Sequence, residues 1–228
     1  IFTSSPSVIF NHEDLENVDE TAPYAENYYC EYPRTKAIAE QMVIEANGNG
    51  SLLTVSLRPH LIWGPGDPHL IPRILEKAKK GKLIRVGDGL NRVDINYIDN
   101  AVEGHILVAD ALEPGANVAG NCYFLNDGEP VVLWQWIDEL LRRMNIPPVK
   151  RSMSFTAAKF LGAVLESLYK IFPISGEPRM TRFVAEQLAA SHYFDISRAR
   201  RDFNYKPIVS IEEGLNRLVK RLQSHPTN

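Results

Sequence analysis

Residues 33–59 read PRTKAIAEQMVIEANGNGSLLTVSLRP, and this stretch decides the fold class. Its first half, A-I-A-E-Q-M-V-I-E-A, has a helical pattern that Asn47-Gly48-Asn49-Gly50 brings to an end. The run LLTVSLRP at 52–59 is rich in β-formers but lacks the apolar–polar alternation of a half-exposed strand. A strand covered on both faces reads this way. A helix leading into such a strand is the building unit of a parallel sheet, because parallel strands need a crossover between them.

The pattern continues outward from that unit. Residues 1–10, IFTSSPSVIF, read as a short strand running into a polar turn, and the acidic, turn-rich segment 11–30 reads as a loop. Downstream, the spacing predicts a helix over 70–80, strands over Lys82–Val86 and Val93–Ile98, and a helix over Asn100–Leu112. A strand at Asn121–Leu125 and an amphipathic helix over 133–144 follow, the latter stopping before Pro147-Pro148. Beyond residue 150 helices dominate, over 155–172, 179–190 and 211–223. The segment HYFDISRARRDF is read as a short strand with Ser197 as the next N-cap. The expectation is an α/β fold with a parallel sheet, followed by a smaller, helix-rich lobe over 151–228.

Composition narrows the function classes. The chain has 228 residues, 44% hydrophobic and 23% charged, which excludes disordered, collagenous and fibrous proteins. A net charge of -3 gives no global reason to expect a nucleic-acid partner. The charge is uneven, however. Residues 1–50 carry 9 acids against Arg34 and Lys36, while residues 142–228 carry 15 basic residues against 7 acids. Solvated helix faces explain this, as does a surface for an anionic ligand or peripheral membrane contact. Cys30 and Cys122 form no C-x-x-C pair and the six histidines are scattered, so neither a disulfide framework nor a metal site is expected, and a reducing, cytoplasmic setting fits. No run of 18 uncharged apolar residues occurs. The chain opens on Ile1-Phe2, directly in a strand pattern, and the expectation is that an N-terminal portion is missing.

One constellation carries chemistry. Thr3-Ser4-Ser5 lies at a strand end, and Tyr32-Pro33-Arg34-Thr35-Lys36 opens a helix, with Tyr32 and Lys36 four apart on one face. A phenol ordinarily titrates near 10, and a nearby cation favours its ionised form. With a serine hydroxyl donating to the same oxygen or to a substrate carbonyl, these groups form a proton-transfer set for interconverting an alcohol and a ketone. A Tyr-x-x-x-Lys pair alone is a weak signal, and the strand end before it and the buried strand after it strengthen the case. Tyr28 and Tyr29 have no lysine four residues on and read as loop aromatics.

Six stretches, IFTSSPSVIF, DETAPY, YPRTKAIAEQMV, LRPHLIWGPGD, INYIDNAVEGHILVADAL and HYFDISRARRDFNYKPIVSIEEGL, are spread over nearly the whole chain. In this order they resemble the extended short-chain dehydrogenase/reductase superfamily. Within it, they are most similar to the 3-beta-hydroxysteroid dehydrogenase/isomerase group and its bacterial relatives. The resemblance implies a partial Rossmann-type sheet over 1–150 and a substrate lobe over 151–228. It implies Tyr32 as the proton donor and acceptor, Lys36 as its partner and a ligand of the nicotinamide ribose, and Ser5, ahead of Ser4, as the catalytic serine. The loop Pro59, His60, Leu61 and Ile62 matches the stretch whose backbone meets the nicotinamide of NAD or NADP. Asp99-Asn100 matches a pair read here as helix capping.

The family's Gly-rich G-x-x-G-x-x-G turn does not occur in this chain, so the chain as given is expected to bind dinucleotide poorly. The implied reaction interconverts a secondary alcohol and a ketone on a lipophilic, sterol-like or long-chain 3-oxo substrate. A sugar-nucleotide epimerase or dehydratase, a flavonol-type reductase and a non-catalytic dinucleotide-binding protein stand as alternatives, and a homodimer is compatible with the family. Arg92 reads as a surface arginine or a phosphate ligand, His60 as a pocket or a satisfied loop histidine, and Cys30 as a packed thiol. The helix over 155–172 is read as lobe core, as a roof over a lipophilic pocket or as a membrane-surface helix, and is expected to border the substrate cleft.

Overall fold

The computed structural model describes residues 1–172, 176 and 178–224. The chain runs β1 (Phe2–Thr3), a 3-10 turn at Pro6–Ile9, β2 (Leu15–Val18), α1 (Glu31–Glu45), β3 (Val55–Pro59), β4 (Ile62–Trp63) and α2 (Leu70–Lys79). It continues through β5 (Ile84–Val86), β6 (Arg92–Val93), β7 (Asn96–Tyr97), α3 (Ile98–Ala111), β8 (Asn121–Leu125), β9 (Val131–Val132) and α4 (Leu133–Arg143). The last elements are β10 (Arg151–Met153), α5 (Phe155–Ile171), α6 (Arg182–Ala189), β11 (His192–Phe194), α7 (Ser197–Phe203) and α8 (Ile211–Ser224). The fold is α/β with a parallel sheet. β3 lies between β1 and β8, all parallel, and all five of its residues are buried, as its unbroken apolar pattern requires.

Two apolar cores flank the chain's crossings. One gathers Val8, Val55, Leu57, Phe124, Leu125, Phe203 and Tyr205 around the three-stranded sheet. The other packs Trp63, Trp134, Trp136, Leu140, Leu141 and Leu215 among α2, α4 and α8. Residues from both sides of position 150 enter each core.

Several local expectations need correction. Residues 15–18 form β2, parallel to β11, where the acids had suggested loop. Glu16 and Asn17 sit in its middle, but its backbone is paired. The stretch 93–98 splits into β6 and β7, which belong to different sheets. Ser197 is the first residue of α7, and the Asp195 carboxylate accepts its N–H at 2.7 Å. Asp99-Asn100 does not cap α3. That helix has no side-chain cap; the Asp127 carboxylate, from the loop after β8, accepts the N–H of Tyr97, the residue before the helix, at 2.8 Å. Asp99 is half-buried and ion-paired with Arg217, and Asn100 is buried, holding Ile208 and Val209 through their N–H groups at 2.8 Å. The helix over 155–172 is not lobe core. α5 buries Ala158 and Gly162 and leaves Phe160 72% and Ile171 71% exposed.

Candidate active site

The placement of α1 sets the site. Its inward face carries Pro33, Ala37 and Glu40. Glu40 is fully buried and meets Arg58 of β3, whose Nε lies 3.1 Å from both carboxylate oxygens. Ser56 and Tyr24 donate hydroxyls to the same carboxylate at 2.7 and 2.8 Å. Arg58 also lies against the rings of Tyr24 and Phe124. Burial alone would push the Glu40 carboxyl up, but the Arg58 hydrogen bonds and charge outweigh it and hold it below its ordinary value. A buried ion pair is tolerated only when its remaining donors and acceptors are satisfied, as they largely are here. The clamp fixes the rotation of α1, and with it the face bearing Lys36 and Tyr32 one and two turns earlier.

Lys36 Nζ donates to the Thr3 carbonyl at 2.9 Å and sits over the Phe2 ring, tying α1 to the end of β1. The 3-10 turn beyond Thr3 packs on α1. Ser5 begins that turn, and its Oγ accepts the Ser7 N–H at 3.3 Å and the Ser7 hydroxyl at 3.0 Å. Tyr32, in the first turn of α1, is 53% exposed, and its hydroxyl has no partner among the described residues. Tyr32 and Lys36 therefore share one face beside the strand end that carries Ser5. Ser4 lies buried at the same strand end. His105 of α3 joins this edge. Its Nδ1–H donates to the Ala101 carbonyl, which leaves Nε2 to accept the Thr3 hydroxyl at 2.9 Å. Nothing in the sequence signals that contact, since the two residues are 102 positions apart.

The loop at Pro59–Ile62 leaves the C-terminal end of β3. Leu61 adopts φ 44, a left-handed conformation unfavourable for a branched residue, and its carbonyl accepts the Asn96 N–H at 3.3 Å. The turn carries the chain from the sheet into β4, which pairs with β7. The His60 side chain is buried against β11. His192 Nε2–H donates to the Gln187 carbonyl, so its Nδ1 accepts from His60 Nε2–H at 2.6 Å. Burial, and then the neighbouring ring, push His60 well below its usual value, and both rings are neutral. His60 is therefore the satisfied loop histidine of the two readings. Beside it, burial pushes the Asp94 carboxyl up to about 7, although it accepts from Asn126 and the Phe194 N–H. Arg92 is exposed and lies over the Tyr193 ring.

The lobe grips the loop that leads into α1. Tyr29 stacks on His12 with centroids 3.9 Å apart, and the Arg182 guanidinium of α6 lies 4.3 Å from its centroid. Buried Glu186 of α6 binds His12 Nδ1 and Lys159 Nζ, each at 2.8 Å. Tyr28 is held by the Val8 carbonyl. Sequence reasoning missed His12 and Glu186, which lie 174 positions apart.

Comparison with known proteins identifies the class. The model of the 3-beta hydroxysteroid dehydrogenase/isomerase family matches residues 1–155, and the chain belongs to that family. It is 48% identical over 96% of its length to a 2-alkyl-3-oxoalkanoate reductase of Stenotrophomonas maltophilia, covering 66% of that protein. It is 33% identical over 96% of its length to mouse sterol-4-alpha-carboxylate 3-dehydrogenase, decarboxylating, covering 62% of it. The chain thus spans about two thirds or less of the relatives it matches. In fold it superposes on the dTDP-glucose 4,6-dehydratase DesIV of Streptomyces venezuelae, solved with NAD and TYD bound, with a TM-score of 0.70 at 19% identity, covering 98% of this chain and 59% of that one. The sheet is thus of the Rossmann type.

Proposed function

We propose that the complete protein is an NAD- or NADP-dependent oxidoreductase that interconverts a ketone and a secondary alcohol on a lipophilic substrate. The 48% relative's name, 2-alkyl-3-oxoalkanoate reductase, supports a long-chain 3-oxo compound, and the sterol dehydrogenases support the broader class. The observation that carries the reading is the grouping of Tyr32, Lys36 and the Ser5 strand end, which Lys36 ties together at Thr3. The donor set fits a nicotinamide and its ribose: a phenol, an ammonium and a hydroxyl, with no carboxylate among their hydrogen-bond partners.

A bound nicotinamide cofactor supplies the hydride that reaches the carbonyl carbon. Tyr32 gives its hydroxyl proton to the carbonyl oxygen, and in the reverse direction takes it back. Ser5 exchanges its local partner Ser7 for the substrate oxygen and orients it. Lys36 holds the ribose side of the cofactor and keeps a positive charge beside Tyr32. The backbone of Pro59–Ile62 lines the nicotinamide end.

The test uses a chain of the relatives' full length. NADH and NADPH oxidation is followed with a 2-alkyl-3-oxoalkanoate, a 3-ketosteroid and a dTDP-sugar. Turnover of a lipophilic ketone is expected. Conversion of the sugar nucleotide alone contradicts the proposal.

A further inference from the structure

We propose, resting on the role given to Tyr32, that His12 is a positioning residue for the proton transfer: it fastens the segment that enters α1 to the helices α5 and α6. The Glu40–Arg58 clamp sets the rotation of α1, but Glu40 lies two turns beyond Tyr32. The entry of the chain into the first turn is left to residues 25–30. On the sheet side this segment is held at Val8, whose carbonyl accepts the Ala25 N–H and the Tyr28 hydroxyl, both at 3.0 Å. On the lobe side it is held by His12.

The His12 ring engages both of its nitrogens and one of its faces. Nδ1 lies 2.8 Å from Glu186 Oε2 of α6, and Nε2 lies 3.1 Å from the Asn27 carbonyl oxygen. Both partners are acceptors, and only a ring carrying both N–H groups donates to both. The ring face stacks on Tyr29, three residues before Tyr32, with centroids 3.9 Å apart. Glu186 is 1% exposed, and its other carboxylate oxygen lies 2.8 Å from Lys159 Nζ of α5. The Arg182 guanidinium of α6 lies over the Tyr29 ring. One buried carboxylate therefore joins α5, α6 and, through His12, the segment before Tyr32.

The backbone shows that these contacts decide the conformation. His12 has φ 65, in the left-handed region that a β-carbon disfavours. Its side chain is 19% exposed, so complete apolar burial does not place it there. Such strain persists where the surroundings over-determine it, and here two hydrogen bonds and a ring stack do so. Lys36 is tied separately, to the Thr3 carbonyl at the end of β1. A shift of the segment before α1 therefore moves the Tyr32 hydroxyl relative to Lys36 and to the Ser5 strand end. Proton transfer depends steeply on that separation.

The test uses a chain of the relatives' full length, with NADH or NADPH and a 2-alkyl-3-oxoalkanoate. His12→Phe keeps a ring for Tyr29 and removes both donors. Its kcat should fall about tenfold, with KM for the dinucleotide within about twofold of the parent. Amide hydrogen exchange over residues 27–32 should quicken in the same variant. His12→Arg supplies N–H donors for both oxygens and should restore most of the turnover and the protection. Leu141→Ala, in the other core, lowers stability but should leave kcat and the exchange of 27–32 near the parent's, which separates positioning from stability. A kcat in His12→Phe within about twofold of the parent overturns the inference. So do equal losses of kcat in His12→Phe and Leu141→Ala, and a folded His12→Arg chain that recovers nothing. If the parent turns over neither this ketone nor a 3-ketosteroid, the role of Tyr32 falls, and unchanged exchange over 27–32 in His12→Phe then overturns the role of His12 separately.

Discussion

α1 and α5 both set charged side chains into a packed face, Glu40 in α1 and Lys159 and Glu166 in α5, against different partners. In α1 the inward charge, Glu40, is matched by Arg58 on the neighbouring strand, with Ser56 and Tyr24 completing its hydrogen bonds. In α5 the inward stripe relies on a missing side chain, at Gly162, and on charge pairs at the edge of the packing. α4, the ordinary case, buries Leu133, Trp134, Trp136, Ile137, Leu140 and Leu141 on one face. Where a packed face is polar, its position is set by specific pairs, and the helix has one rotation only. For α1 that rotation presents Tyr32 and Lys36. For α5 it presents an apolar surface.

The comparison breaks first at Arg58. Arg58→Met leaves Glu40 buried without its counter-charge, and should cost about 3–5 kcal/mol in urea unfolding, with Glu40→Gln added to it restoring much of the loss. A cost below about 1 kcal/mol would mean that apolar contacts, rather than the ion pair, seat α1. Gly162→Ala sharpens the other side. Its methyl meets backbone atoms of Thr181 and Arg182, which cannot swing away, so a loss of about 1–3 kcal/mol in thermal unfolding is expected. The smallest effect belongs to the outward face. Phe160→Ser should change stability by no more than about 0.5 kcal/mol, whereas Leu141→Ala in the core of α4 should cost about 2–5 kcal/mol. Equal losses at the two sites would show that α5 is packed after all.

The same contrast explains what the sequence discloses. α4, α8, β3 and β8 were legible because their burial follows a helical period or an unbroken apolar run. Tyr32, Lys36 and Ser5 could be singled out as candidates because their spacing and flanking segments match a known family. β2 was hidden by its acids, since strand pairing is a property of the backbone and its partner β11 lies far along the chain. The Glu40–Arg58 clamp was hidden for the same reason: a charged residue in a helix and an arginine in a strand give no sign of each other. The capping assigned to Asp99-Asn100 does not form because both side chains have partners far along the chain, Asp99 in Arg217 and Asn100 in the Ile208 and Val209 N–H groups. Of the readings open for α5, lobe core is the one its exposure removes: apolar content says how much surface seeks cover, but not which side finds it.

The central claim is that the clamped face of α1 performs proton transfer through Tyr32. The direct measurement is Tyr32→Phe in a chain of the relatives' full length, with steady-state turnover and dinucleotide affinity determined side by side. The ring remains and only the hydroxyl is lost, so affinity should stay nearly unchanged while kcat falls on the order of 10²-fold or more. A kcat within about threefold of the parent would contradict the assignment, and would place the proton-transfer group elsewhere on the molecule.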